Sequence, residues 1–356
     1  MSTKNLVIYH YFEKDASYRD NLLHFLLFGV LPELDYIFVM SGNHSVQLPE
    51  LPNVRYLFTE PKKSDFGGYA QLINEGLNVD PYDNIFFINA SVRGPFIPPY
   101  HQDTWYEAFL EQMQGDVGMV GMSICSLKED FRHSINYQSR YGGHPPYSHI
   151  QTMAYVLRRE VLTQLILDGF YRDDRDSTKT LAIEDYEIHL SQLVLKLGWN
   201  LRCLLPEFNS IDYRLFHTNP NPTSTVGDPN EVLGYFGRSA HPYEAIFVKT
   251  NRDLYTETYL DRLAYSMLKS NRSKSSTKLL TSPSVQVYIA KLEQQALSGE
   301  QVSDFSYLPG FIESQAFLKT ALLEASSAKE QLDAILQSTS WKITAPIRIL
   351  KNWFKQ

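Results

Sequence analysis

The stretch Tyr82–Pro99, YDNIFFINASVRGPFIPP, decides the fold of this chain. It opens on Tyr-Asp, runs through Ile and Phe, and breaks into a polar turn, Asn89-Ala90-Ser91; Arg93, Gly94 and three prolines follow. A continuous apolar run reads as a strand buried on both faces, the kind found in the middle of a parallel sheet. Open α/β sheets bind ligands beyond the carboxyl ends of such strands. The turn carrying Asn89, Ser91 and Arg93 is therefore the first place to look for a site. The alternative is a well-packed strand closed by an ordinary Asn/Ser turn.

The flanking sequence repeats the pattern. Leu6–Tyr11 reads as a first buried strand, with His10 at its carboxyl end, where a ligand could sit, although a lone His there is more often structural. Asp15–Phe28 reads as a helix stopped by Gly29, followed by strands at Tyr36–Met40 and Val54–Phe58. Asp65-Phe66-Gly67-Gly68 precedes a helix expected over Tyr69–Gly76. A helix start reached through glycines exposes free N–H groups and is a ready anion site. Asp65 either caps that helix or accepts hydrogen bonds from a ribose or nucleobase. A helix at Trp105–Met113 and a strand at Val117–Met122 continue the alternation, which predicts an α/β layer on a mostly parallel sheet.

Residues 124–147 read as a long polar loop, and 153–157 as a short strand leading through Arg158 and Arg159 into a helix. In LAIEDYEIHLSQLVLKLGW, Glu184 and Asp185 open a helix whose Leu190, Leu193, Val194 and Leu197 share a buried face. The macrodipole favours acids there, so capping competes with a general-base role. HPYEAIFVKTNR, from His241 to Arg252, packs His, Glu, Lys and Arg around one apolar strand and suggests a site wall; a solvated edge strand is the plain alternative. From residue 254 the alternation stops and helices take over, including an amphipathic one at Phe317–Leu336. The expected division is a domain over 1–253 and a helical region over 254–356. The tail 340–356, with four cations, two Trp and no acid, suits a helix lying on an anionic membrane surface.

Bulk properties narrow the function classes. The chain has 356 residues, 43% hydrophobic and 21% charged, which is ordinary globular composition. A formal net charge of -7 argues against a dedicated nucleic-acid binder. Two cysteines, Cys125 and Cys203, in apolar surroundings point to a reducing, cytoplasmic compartment rather than a disulfide scaffold. The start MSTKNLVIYHYF has no signal-peptide pattern, and no apolar run is long enough to span a bilayer.

In their order along the chain, DFGGYA, YDNIFFINASVRGPF, MAYVLRREVL, IEDYEIHL and HPYEAIFVKTNR resemble a bacterial capsule or O-antigen polysaccharide glycosyltransferase of the rhamnan-synthesis type, with a GT-A-like fold. The likeness covers roughly residues 5–252, and STSWKITAPIR resembles the endings of enzymes from such clusters. It implies a nucleotide-sugar donor over the first half of the sheet, with Asp65, Gly67 and Gly68 at the nucleoside and His10 nearby. Asn89-Ala90-Ser91 stands where such enzymes carry Asp-x-Asp. Both carboxylates are missing, which puts a conventional Mg²⁺ or Mn²⁺ site in doubt, since hard cations want charged oxygens. Arg93 and Lys249 would then neutralise the diphosphate. Asp185, with Glu184 as alternate, would be the base of an inverting transfer, so that Asp185→Asn abolishes turnover. Arg158, with Arg159 beside it, and His241 would bind a glycan or lipid-linked acceptor. A non-catalytic glycan-binding protein and a metal-dependent hydrolase using His10, His217 and His241 are the rivals; those histidines lack close ligand spacing.

Overall fold

The fold was taken from a computed structural model, which describes residues 3–62, 64–172, 179–218, 221–223, 228–270 and 277–297. The chain divides into two compact units, Met1–Pro309 and Gly310–Gln356. Every described residue belongs to the first. The expected helix at 317–336 and the basic tail at 340–356 lie outside the described residues.

The strands are β1 (Asn5–Phe12), β2 (Asp35–Ser41), β3 (Val54–Thr59), β4 (Asn84–Asn89), β5 (Val92–Arg93), β6 (Val117–Gly121), β7 (Ile124–Cys125), β8 (His149–Ile150), β9 (Ala154–Arg158), β10 (Asn200–Cys203) and β11 (Val248–Lys249). Seven of them form one sheet in the order β10-β6-β9-β4-β1-β2-β3. All neighbours in it run parallel except at β9, which is antiparallel to both β4 and β6. The stretch that reads as a doubly buried strand is β4, and Ile85, Phe86, Phe87 and Ile88 are all buried between β1 and β9.

Helices cover both faces. They are α1 (Ala16–Phe28), α2 (Asp65–Asn74), α3 (Trp105–Gln112), α4 (Arg132–Tyr141), α5 (Arg159–Leu167), α6 (Lys179–Ala182), α7 (His189–Lys196), α8 (Pro242–Ala245), α9 (Glu257–Lys269), α10 (Thr277–Leu280) and α11 (Pro283–Leu297). Side chains alternate across the strands and build two apolar layers. One packs Val7, Tyr9, Phe38 and Phe86 with Phe25 and Trp105. The other packs Ile8, Val39, Phe87 and Met119 with Phe66, Leu162 and Leu190. Because α9 and α11 join the first layer through Leu260, Ala264, Val285 and Tyr288, the compact unit continues past the boundary expected at residue 253.

Three local readings are corrected. Helix α2 begins at Asp65, so Gly67 and Gly68 lie in its first turn rather than before it, and Ser64, not Asp65, is its N-cap. The polar segment 124–147 is not one loop, since it contains β7 and the ten-residue α4. The helix carrying Glu184 and Asp185 is interrupted by a π-helical turn, Ile183–Ile188, between α6 and α7. Such wide turns rotate the side chains that follow them and recur at functional sites.

Candidate active site

A cavity of about 560 Å³ opens at the carboxyl edge of the sheet. Asp65 and Phe66 reach it from the start of α2, and Asn89 and Ser91 from the end of β4. Gln151, Thr152 and Met153 approach from the start of β9, and Ile183 and Glu187 from the π turn. Asp228, Glu231, Lys249 and Arg252 complete the polar wall, with Leu127, Lys128, Phe131 and His133 opposite. Four of the ten residues expected at the donor or catalytic centre therefore stand together: Asp65, Asn89, Ser91 and Lys249.

Their geometry is built on one side-chain amide. Asn89 Nδ2 donates to Asp65 Oδ2 at 2.7 Å, while Asn89 Oδ1 accepts from the Ser91 N–H at 3.1 Å and the Ser91 hydroxyl at 2.5 Å. The turn after β4 is thereby tied to the start of α2. Burial pushes the Asp65 carboxyl above its ordinary range, against the Asn89 hydrogen bond and the Lys249 charge, and Glu187 adds to the rise. Lys249 enters from β11, which pairs antiparallel with β5 so that Lys249 faces Val92. Just before β11, Ile246 holds φ of 63°, a left-handed conformation rare for a β-branched residue.

The other expected site residues are engaged elsewhere. His10 is buried, with Nε2 2.9 Å from Ser41 Oγ, and burial lowers its pKa to about 4. Gly68 serves this packing, since a Cβ there would lie 2.3 Å from the His10 ring. The Gly67 N–H meets the capping Ser64 hydroxyl at 3.4 Å, and neither Gly67 nor Gly68 lines the cavity. Arg93 is fully buried and does not line the cavity. It donates to Asn21 Oδ1 at 2.9 Å and pairs with Glu257 at 2.6 Å and Asp261 at 3.2 Å. Arg158 lies at the opposite edge of the sheet, donating to the Val117 and Met113 carbonyls at 2.6 and 2.7 Å. Arg159 bonds the Asp80 carbonyl at 3.0 Å. His241 caps α8 and shares a 2.8 Å hydrogen bond with the Tyr259 hydroxyl.

Glu184 and Asp185 also turn away. Glu184 is 1% and Asp185 9% exposed, and neither lines the cavity. Both pair with Arg140 of α4; Glu184 also accepts from His133 and from Asn136 at 2.8 Å, and Asp185 from the Tyr141 hydroxyl at 2.9 Å. The π turn sets this division. Its Glu184 and Asp185 face α4, whereas Glu187, 21% exposed, faces the cavity beside His149 Nε2 at 3.7 Å and accepts from Thr152 Oγ1 at 3.3 Å.

Sequence reasoning missed Glu187, Asp228 and Gln151, while Arg252 stands in the wall expected from HPYEAIFVKTNR. Arg252 pairs with Asp228 and donates to the Asn230 carbonyl at 3.2 Å; Gln151 donates to Asp228 at 2.9 Å. Glu187 stands in the same EDYE string as Glu184 and Asp185, three and two residues on. Among the described residues no group of three or more His, Cys, Asp or Glu is arranged to hold a metal ion, and no helix is long and apolar enough to cross a membrane.

No family model matches the chain, and no curated protein sequence matches it. Solved structures similar to it include a mannosyltransferase from Pyrobaculum calidifontis in complex with GDP-mannose and Mn²⁺, at 12% identity over 97% of this chain and 84% of that one, with a TM-score of 0.34. Another is the galactosyltransferase LgtC with donor and acceptor sugar analogues, at 12% identity over 60% and 85%, TM-score 0.32. A third is 4-diphosphocytidyl-2C-methyl-D-erythritol synthase from Anaerococcus prevotii, at 10% identity over 60% and 91%, TM-score 0.31. At these scores the alignments carry no argument about the chemistry of this chain. The fold class and the site rest on the chain's own sheet and cavity.

Proposed function

We propose that this chain is a GT-A-like glycosyltransferase that moves a sugar from a nucleotide-sugar donor to a growing surface glycan. The observation that carries the reading is the cavity at the carboxyl edge, where Asp65 and Asn89 meet at 2.7 Å within a wall that also bears Lys249, Arg252 and Glu187. That is where mostly parallel sheets place nucleotide ligands. A carboxylate held by an amide keeps free lone pairs for the hydroxyls of a ribose. Lys249 and Arg252 supply the positive charge that a diphosphate leaving group needs. Arg93, fully buried among acids, does not take that part.

The transfer follows as a single displacement. Glu187 accepts the proton of the acceptor hydroxyl, the freed oxygen forms a bond to the anomeric carbon, and the bond from that carbon to the diphosphate breaks. The electron pair leaves with the nucleoside diphosphate. Glu187 replaces Asp185 in this role because a base must reach the substrate, and Asp185 is held by Arg140 and Tyr141. The acceptor belongs to a capsule, O-antigen or rhamnan-like glycan, with the basic tail at 340–356 holding the enzyme to the inner membrane face. The motifs running from DFGGYA to HPYEAIFVKTNR support that part.

The test is a thermal-shift and saturation-transfer screen of the protein against nucleoside diphosphates and nucleotide sugars, with EDTA and with Mn²⁺. A selective shift with one nucleotide class that survives EDTA is expected. A shift that appears only with Mn²⁺ would overturn the cation-based reading of the Asn89 turn. No binding to any nucleotide would favour the non-catalytic glycan-binding reading.

A further inference from the structure

Beside the cavity lies a second groove of about 360 Å³, with Glu129, His144 and the Pro145–Pro146 pair on one side and Phe216 and His217 on the other. Leu127 lines both spaces, so the groove adjoins the cavity. Its outstanding feature is Phe216, 84% exposed, next to Leu215, 65% exposed. A bare phenyl ring gives up roughly 1.5–3 kcal/mol that burial would return, so one held firmly in the open invites an occupant.

Phe216 is held firmly. His217 Nδ1 lies 2.8 Å from the Leu215 carbonyl, which can only accept, so that nitrogen carries the proton. Nε2 then accepts from the Ser148 hydroxyl at 2.9 Å, and Ser148 Oγ accepts from the Ser126 hydroxyl at 2.7 Å. Ser148 is fully buried, and Ser126 is itself a wall of the main cavity. The Tyr213 ring meets His217 edge-on at 5.4 Å. His217 is therefore tied to the Ser126–Ser148 pair beside β7 and β8, and Phe216, the residue before it, lines the groove.

We propose that this groove is the acceptor subsite, taking one pyranose ring of a glycan with its C–H face stacked on Phe216. A pyranose presents an apolar face and a rim of hydroxyls. The groove presents one aromatic platform, two prolines, and a polar rim from Glu129 and His144. A lipid chain would match the platform but not the rim, and a phosphate would meet Glu129 as a like charge. The assignment rests on the transferase reading of the adjoining cavity. It also replaces Arg158 and His241, neither of which borders the groove.

The experiment is saturation-transfer NMR of the full chain with a panel of methyl pyranosides (rhamnoside, mannoside, glucoside, galactoside and N-acetylglucosaminide), run on the wild type and on Phe216→Ala. A separate titration with UDP, GDP, CDP and dTDP is run on both. We expect at least one pyranoside to bind the wild type and to bind Phe216→Ala about tenfold more weakly. Nucleotide affinity and melting temperature should be unchanged, because Phe216 is exposed and outside the cavity. Equal pyranoside binding by the two proteins, or none by the wild type, overturns the subsite. Loss of nucleotide binding alongside the pyranoside in Phe216→Ala also overturns it. If pyranosides behave as expected but no nucleotide binds the wild type, the groove stands and the transferase reading fails.

Discussion

Replacing Arg93 by methionine separates a donor-binding arginine from a structural one. Arg93 is fully buried, and so is its partner Asp261; Glu257 and Asn21 complete its contacts. Methionine keeps the apolar stem and removes the charge. Asp261 is then left in the interior with Lys291, 2.8 Å away, as its remaining ion-pair partner, and Asn21 Oδ1 loses a donor. Breaking a buried pair by removing one member costs about 3–5 kcal/mol. Unfolding entropy near 2.1 cal/mol/K per residue, summed over the Met1–Pro309 unit, comes to roughly 0.65 kcal/mol/K. A loss of about 4 kcal/mol then lowers the melting temperature by about 6 °C.

The counterpart is Lys249→Met. Lys249 lines the cavity, so its loss should move the melting temperature by about 1 °C or less. If Lys249 contacts the diphosphate as proposed, the substitution removes a charge-assisted contact and should weaken nucleoside diphosphate binding about tenfold or more. Thermal unfolding followed by circular dichroism and calorimetric titration of the nucleotide give both readings on each variant. The reasoning is refuted if Arg93→Met melts like the wild type while losing nucleotide affinity, since the arginine would then be contacting ligand.

The choice of base gives a second contrast. Glu187→Gln should reduce transfer by about 100-fold or more with nucleotide affinity retained, whereas Asp185→Asn should leave transfer within about tenfold; the reverse ranking in a single-turnover assay would restore Asp185. A third prediction concerns acid. Burial holds His10 near a pKa of about 4, below its ordinary 6.5, so the unfolded chain binds that proton more readily. Stability is therefore level above pH 6.5 and is lost as pH falls from 6.5 towards 4, by about 2 kcal/mol for this side chain on reaching pH 5. Urea unfolding of His10→Gln should show an acid limb shallower by that amount, and an unchanged limb would count against a buried neutral His10.

Much of the sheet could be read from the sequence because buried strands are continuous apolar runs, and β1, β2, β4 and β6 are such runs. Burial of charge could not be read. Arg93 next to a polar turn looks like a ligand contact, and nothing local reveals that Asp261, 168 residues further on, closes over it. His241 differs: its cap is local, made with the Tyr243 N–H and Glu244 within HPYE, and only its bond to Tyr259 of another helix is out of reach of the local sequence. Glu184 and Asp185 were misplaced by rotation. A regular helix and a π turn have nearly the same composition, but they aim Glu187 and Asp185 in different directions. Helix α4 was missed because its sequence, RHSINYQSRY, is polar and shows no apolar stripe. What holds it comes from elsewhere in the chain: His133, Asn136, Arg140 and Tyr141 bond Glu184 and Asp185, and Tyr137 packs with Tyr147 and Ile188.

Strand direction explains both the cavity and the failure of Arg158. A hydrophobic run carries no arrow, so residues 153–157 read as a strand whichever way they point. In the structure β9 runs against β4, pairing Asn84 with Arg158 and Ile88 with Ala154. Its last residue, Arg158, is carried to the amino edge of the parallel strands, where it clamps the turn before β6. Its beginning is carried to the carboxyl edge, where the Met153 carbonyl accepts the Asn89 N–H at 3.0 Å and Gln151 and Thr152 become cavity wall. Had β9 run parallel, Arg158 would stand beside Asn89 and the Gln151–Asp228–Arg252 chain would have no anchor there. The single reversed strand thus determines which polar residues line the cavity.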